Sequence, residues 1–174
     1  GTTTISAGAT LDMSAGKLVV TGNYTNNGNI TPASGTLELK GITNQNVTSN
    51  GAAYNNVIFN NSSTNTAITL LDDMTISGSI TLTAGIITTG SNKLISTSTD
   101  ASDLPIGSST SFINGNIRKS IATNTQTYTF PLGKGNKSSD YSPAELTNNN
   151  MIGPTRLDIS FGEIIEESFN NTDA

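Results

Sequence analysis

The chain has 174 residues, of which 12% are charged and 5% aromatic, with a net charge of -5 at pH 7 and neither Cys nor His. The lack of Cys excludes disulfides and thiolate metal sites, and the acidic balance, with a pI near 4.4, argues against binding nucleic acid or an anionic membrane surface. No apolar run approaches the roughly 20 residues that a spanning helix needs.

Such a thin apolar content borders on that of disordered chains, but those usually carry high net charge. Here the apolar residues come instead in short strand-like runs: Leu18-Val19-Val20, Val57-Ile58-Phe59 and Ile86-Ile87. Four alternating pairs follow one another along the chain, Leu18/Val20, Leu37/Leu39, Val57/Phe59 and Met74/Ile76, and weaker versions begin at Leu94 and Phe112. The spacings of their first members are 37−18=19, 57−37=20, 74−57=17, 94−74=20 and 112−94=18. A second apolar set, Ile30, Val47, Ile68 and Ile86, trails the first, and turn chemistry separates the two at Asn26-Asn27-Gly28, Ser49-Asn50-Gly51, Thr83-Ala84-Gly85 and Thr89-Gly90-Ser91.

A period-two alternation points one residue inward and the next outward. One coil cannot bury its inward residues alone, whereas stacked coils bury a continuous column. The expected fold is therefore all-β: a parallel β-solenoid of about 19 residues per coil over residues 1–100. Leu18, Leu37, Val57 and Met74 are expected to stack as one inward column, and Ile30, Val47, Ile68 and Ile86 as another. The alternative is a β-sandwich. Past residue 100 the texture changes, with longer strands at Ser111 to Arg118, Gln126 to Phe130 and Arg156 to Phe161. Residues 101–174 read as a β-rich module that caps or continues the rod. The opening Gly1-Thr2-Thr3-Thr4 and the acidic run from Glu163 to Ala174 read as the ends of a segment of a longer chain.

The run Thr75-Ile76-Ser77-Gly78-Ser79-Ile80-Thr81-Leu82-Thr83-Ala84-Gly85-Ile86-Ile87, and with it Gly22-Asn23-Tyr24-Thr25-Asn26-Asn27-Gly28, resembles the repeats of large secreted surface proteins of Bacteroidota. Gly115-Asn116-Ile117-Arg118, then Tyr128-Thr129-Phe130-Pro131-Leu132-Gly133, then Tyr141-Ser142-Pro143, is similar to a module downstream of such repeats that usually reads Tyr-Arg-Pro at the last step. The resemblance implies export by the type IX secretion system, a place on the outer cell surface or outside the cell, and a role in adhesion, gliding or the envelope. It brings no catalytic residues.

Chemistry-bearing patterns are few. With no His, a Ser nucleophile lacks its usual base. Ser14-Ala15-Gly16-Lys17 matches S-x-x-K but lies between two strands rather than on a helix. Gly85 to Gly90 begins like a phosphate loop, but Ser91-Asn92 stands where Lys-Ser/Thr is required. Asp72-Asp73 and Asp100/Asp103 are the carboxylate pairs, read as turn residues. No catalytic, cofactor or resident metal site is expected, and adventitious calcium is the one ion such turns would take. Tyr24, Tyr54, Tyr128 and Tyr141 are expected in the core or at its rim rather than as a sugar-stacking platform.

One pattern suggests an outward polar ladder, at seven and nine residues past each anchor: Thr25/Asn27, Asn44/Asn46, Thr64/Thr66 and Thr81/Thr83. The residues between them, Asn26, Gln45, Asn65 and Leu82, are mostly polar, which reads as turns without a buried side. Three functions compete. The first is a non-catalytic structural or adhesive segment of a surface protein, whose expected partners are other segments of its own long chain, the secretion machinery, and extracellular polysaccharide or a surface. The second is a carbohydrate- or ice-binding module using the ladder. The third is a β-helix polysaccharide lyase or hydrolase, which needs a groove of clustered acids and a base.

Overall fold

Short runs of Thr, Val, Ile and Asn broken by Gly favour strands over helix, and the chain forms strands almost throughout. The structure, a computed structural model, describes residues 1–160 apart from 65, 150, 152 and 154, together with the backbone of 163–165. Three strands make each of the first four coils. They are β1 (Thr3–Ile5), β2 (Thr10–Asp12) and β3 (Lys17–Val20); β4 (Tyr24–Asn26), β5 (Asn29–Thr31) and β6 (Thr36–Gly41); β7 (Gln45–Thr48), β8 (Ala53–Tyr54) and β9 (Asn56–Asn61); then β10 (Thr66–Leu70), β11 (Met74–Ile76) and β12 (Ile80–Ala84). In the next two coils one long strand turns a corner and serves two faces: β13 (Ile86–Ser96) and β14 (Ile113–Ile121).

The coils stack in parallel on three faces. The first face runs β1, β4, β7, β10, β13, β14, and the third runs β3, β6, β9, β12. The second carries β2 on β5, and β8, β11 and the later halves of β13 and β14 in succession. The protein is a parallel β-solenoid of about 6 turns with roughly 20 residues per turn. Individual steps range from 19 residues between Leu18 and Leu37 to 26 between Ile87 and Ile113. This register excludes the antiparallel sandwich.

The core is a set of apolar columns. On the third face Leu18, Leu37, Val57 and Ile80 stack in register, as do Val20, Leu39, Phe59 and Leu82. Met74 does not join the first of these. It sits on the second face, stacked with Leu94 and Ile117, and Ile80 takes the place assigned to it. The other expected column also divides: Ile30 pairs with Leu11 on the second face, while Val47 lies between Tyr24 and Leu70 on the first. Ile68 heads a further first-face column through Ile87 and Ile113 to Leu132, and Ile86 lies opposite Thr66. The cause is that each coil has three sides rather than two, and all three carry the same alternation.

Parallel stacking passes residue 100, since Ile113 pairs with Ile87 and Ile117 with Leu94. Direction changes beyond it. After β14 come β15 (Gln126–Phe130), β16 (Leu132–Gly133), β17 (Ala144–Asn148), β18 (Thr155–Ser160) and β19 (Glu163–Ile165). β18 runs antiparallel along β14, β19 antiparallel along β18, and β15 antiparallel to β17, while β16 adds to β14 in parallel. Tyr128 pins this part to the rod: its buried hydroxyl accepts from the Ala122 amide at 2.8 Å and donates to the Thr99 carbonyl at 2.8 Å. Lys119 is fully buried beneath, its Nζ donating to Ser96 Oγ, the Ser98 carbonyl and the Asp100 carbonyl at 3.2, 2.5 and 2.9 Å. Burial pushes this ammonium's pKa below the usual lysine value, and Asp103 and Asp100 partly offset that. The acidic run beyond 165 lies outside the described residues.

Candidate functional site

The eight ladder residues are all exposed or half-buried, but they do not form one array. Thr25 lies on the first face in register between Thr4 and Thr48. Asn46 lies on the same face beside Thr69, and Thr66 opens the next strand opposite Ile86. Asn27 and Asn44 flank that face at its corners. The Asn27 amide donates to the Ile5 carbonyl at 2.8 Å, and Asn44 Nδ2 donates to the Thr66 carbonyl and Thr69 Oγ1 at 3.0 and 3.2 Å. Thr64 sits in the bend between β9 and β10, and Thr81 and Thr83 lie on the third face, Thr81 in register with Ile58.

What the first face does carry is two in-register polar rows, Thr4–Thr25–Thr48 and Asn46–Thr69–Thr88–Asn114, the Thr88 hydroxyl being itself buried. Parallel pairing sets such neighbours about 4.8 Å apart. The second row has a sequence signal that the fixed offset missed: each member directly follows an inward residue of the column Gln45, Ile68, Ile87, Ile113.

The residues between the ladder positions are not turns. Asn26 and Gln45 lie on strands and are fully buried, as is Asn61. Gln45 Nε2 donates to the Val20 and Gly22 carbonyls at 3.1 and 2.6 Å, and its Oε1 accepts from Asn61 Nδ2 at 2.9 Å. Asn61 Nδ2 also reaches the Thr43 carbonyl at 2.8 Å, and its Oδ1 accepts the Ser63 amide at 2.9 Å. Asn26 Nδ2 donates to the Ser49 carbonyl at 3.0 Å while its Oδ1 accepts the Gly28 amide at 3.0 Å. These side chains hydrogen-bond backbone carbonyls at and beside the corners, and so tie coil to coil inside the rod. Asn65 lies outside the described residues.

The carboxylates are engaged in turns. Asp72 accepts the Ser49 and Asn50 amides at 2.7 and 2.5 Å, and Asp73 accepts the Lys93 amide at 2.8 Å. Asp103 accepts Ser98 Oγ at 2.6 Å. Backbone and hydroxyl hydrogen bonds from Ser102 hold the Asp100 carboxyl below the usual range. Ser14 donates through both its amide and hydroxyl to Asp12, and Lys17 pairs with Glu38. Tyr24 and Tyr54 form a buried edge-on pair, ring centroids 6.2 Å apart, and Tyr54 donates to Tyr24 at 3.2 Å. Tyr141 is at the rim, its hydroxyl donating to the Ile106 carbonyl at 2.6 Å.

At the corner that follows the third face, the turns of successive coils leave an open cavity of about 740 Å³. Ser62 to Thr64, Ala84 to Ile86, Ser109 and Thr110, and Asn136 to Ser138 line it. The corner is tight because of Gly85: its φ is +93°, and a Cβ there would lie 2.1 Å from the Asn61 carbonyl oxygen. No protein-family model, curated protein or solved structure matches the chain.

Proposed function

We propose that the chain is a non-catalytic structural or adhesive segment of a large secreted or cell-surface protein. The observation that carries this reading is the pair of in-register, uncharged polar rows on the first face, laid over a rod whose coils add one at a time. Such a rod lengthens by repetition without a new folding problem. An uncharged polar skin keeps it hydrated while limiting ionic sticking. Its partners on this reading are further segments of the same chain, the export machinery, and extracellular polysaccharide or a surface. Adhesion is weak at each site and gains strength through multiplicity. The resemblance to Bacteroidota surface repeats supports the same placement, with export by the type IX route.

The test is a retention assay on polysaccharide-coated beads, comparing the monomeric chain with the same chain displayed in many copies. Retention of the multivalent form alone supports the reading. Turnover of a polysaccharide that disappears in Asp72→Ala or Asp103→Ala would overturn it in favour of an enzyme.

A further inference from the structure

The corner cavity has the makings of a ligand site, and we propose that it binds an acidic saccharide, Lys137 meeting the anionic group and the surrounding Ser and Thr hydroxyls meeting those of the sugar. This deepens the adhesive reading by naming a ligand class, and rests on it.

Size comes first. A cavity of about 740 Å³ lies within the range of small-molecule sites, roughly 300–1,000 Å³, and is far larger than a bare anion fills. Sign comes next. The chain carries 13 acidic side chains against 8 basic ones, yet the described residues lining the cavity include Lys137 and no carboxylate. Lys17, Lys93 and Arg118 are held in ion pairs and Lys119 is buried on three oxygens, while Lys40, Lys134 and Arg156 lie outside the lining of the cavity. The exposed Lys137 ammonium has no ion pair among the described residues. The carboxylate of Asp140 in its own loop is taken up by the loop backbone, Oδ2 accepting the Lys137 amide at 2.8 Å.

The remaining lining selects a polyol. The hydroxyls of Ser63, Thr64, Ser109 and Ser138 make no hydrogen bond to another described residue, so each is free both to donate and to accept. Among the described residues no aromatic ring lines the cavity, so these side chains offer hydrogen bonds and charge rather than a stacking platform as the means of recognition.

The test is an amide-resolved NMR titration of the intact chain with a carboxylated oligosaccharide (oligogalacturonate), a sulfated oligosaccharide of similar length, a neutral one, and inorganic sulfate alone. Shifts concentrated at Ser63, Thr64, Ser109, Thr110 and Lys137 with either acidic sugar are expected, and which of the two arms responds identifies the anionic group. Lys137→Met, at an exposed position that leaves folding intact, should weaken binding about fivefold, the upper end for an exposed charge pair. Thr64→Val should weaken it while preserving its salt dependence. Equal binding of the neutral sugar, sulfate alone binding as tightly, no shifts at these residues, or unchanged affinity in Lys137→Met would each overturn the assignment. None of these outcomes bears on catalysis, so the cavity and the adhesive reading fail separately.

Discussion

Arg118 and Asp158 stand directly opposite each other across antiparallel β14 and β18 and close a two-pronged ion pair, Nε to Oδ1 at 2.5 Å and Nη2 to Oδ2 at 2.6 Å. Lys93 on β13 donates to the same Oδ2 at 2.7 Å. One carboxylate thus spans three strands and fastens the first antiparallel strand to the last parallel coil. Hydrogen bonds from Arg118, and then from Lys93, hold its pKa at about 2, against 3.8 for a free carboxyl. A carboxyl depressed in this way stabilises the fold fully above its free value, and that stabilisation is lost as pH falls through about 2. Asp158→Asn is expected to cost about 1 kcal/mol at pH 7, allowing for solvent screening of a partly exposed pair. Urea titrations at pH 7 and pH 2 check this: the gap between variant and parent should narrow at the lower pH, where the folded-state carboxyl is about half protonated.

The buried amides set a second expectation. Gln45→Leu strips partners from the Val20 and Gly22 carbonyls and from Asn61 Nδ2. A cost of about 2–3 kcal/mol is expected from the polar groups left unpaired. Asn46→Ala, one residue away and exposed, should cost less than about 0.5 kcal/mol. Equal losses in a denaturant titration would mean that the amide network contributes nothing.

Phe59 is fully buried in the third-face column between Leu39 and Leu82. Phe59→Ala should cost about 3–5 kcal/mol, since a core this narrow has few large neighbours to close the cavity. Thr64→Ala, in the exposed bend, should stay below about 0.5 kcal/mol. Thermal melts of the two variants separate them.

Ala33 holds a φ of +41° at the corner between β5 and β6, a left-handed conformation that its Cβ disfavours. Ala33→Gly is therefore expected to be neutral or to stabilise, by up to about 1 kcal/mol, with the relief of native strain offset in part by a more flexible unfolded chain. A fall in melting temperature would show that the Ala33 methyl contributes packing that outweighs the strain.

The coil was legible because inward residues alternate with outward ones wherever a strand is half-buried, and Leu18, Leu37 and Val57 repeat at steps that match their stacking. The number of faces was not, because Met74 on the second face and Ile80 on the third sit in equally apolar alternation, and only the corners between them distinguish the faces. The buried side of the first face was hidden for a different reason. Reading polarity as exposure sends Asn26 and Gln45 outward, yet each lies two residues from a buried partner, Tyr24 and Val47, and so shares its inward direction. Near a solenoid corner backbone carbonyls of neighbouring coils make an inward amide favourable, and that demand is set by the next coil rather than by the local sequence.

The stacking steps of 19 to 26 residues also bear on how the rod assembles. Every parallel contact closes a loop of about one coil, so the entropy of closure is nearly constant from coil to coil, and no early strand waits for a distant partner. Among the described strands only β18 reaches further back, 160−116=44 residues at Asn116 and 155−121=34 at Ile121. The rod can therefore grow from any coil by adding its neighbour, each step costing about the same closure entropy, and the pairing of β18 with β14 needs the longest loop of the described strands.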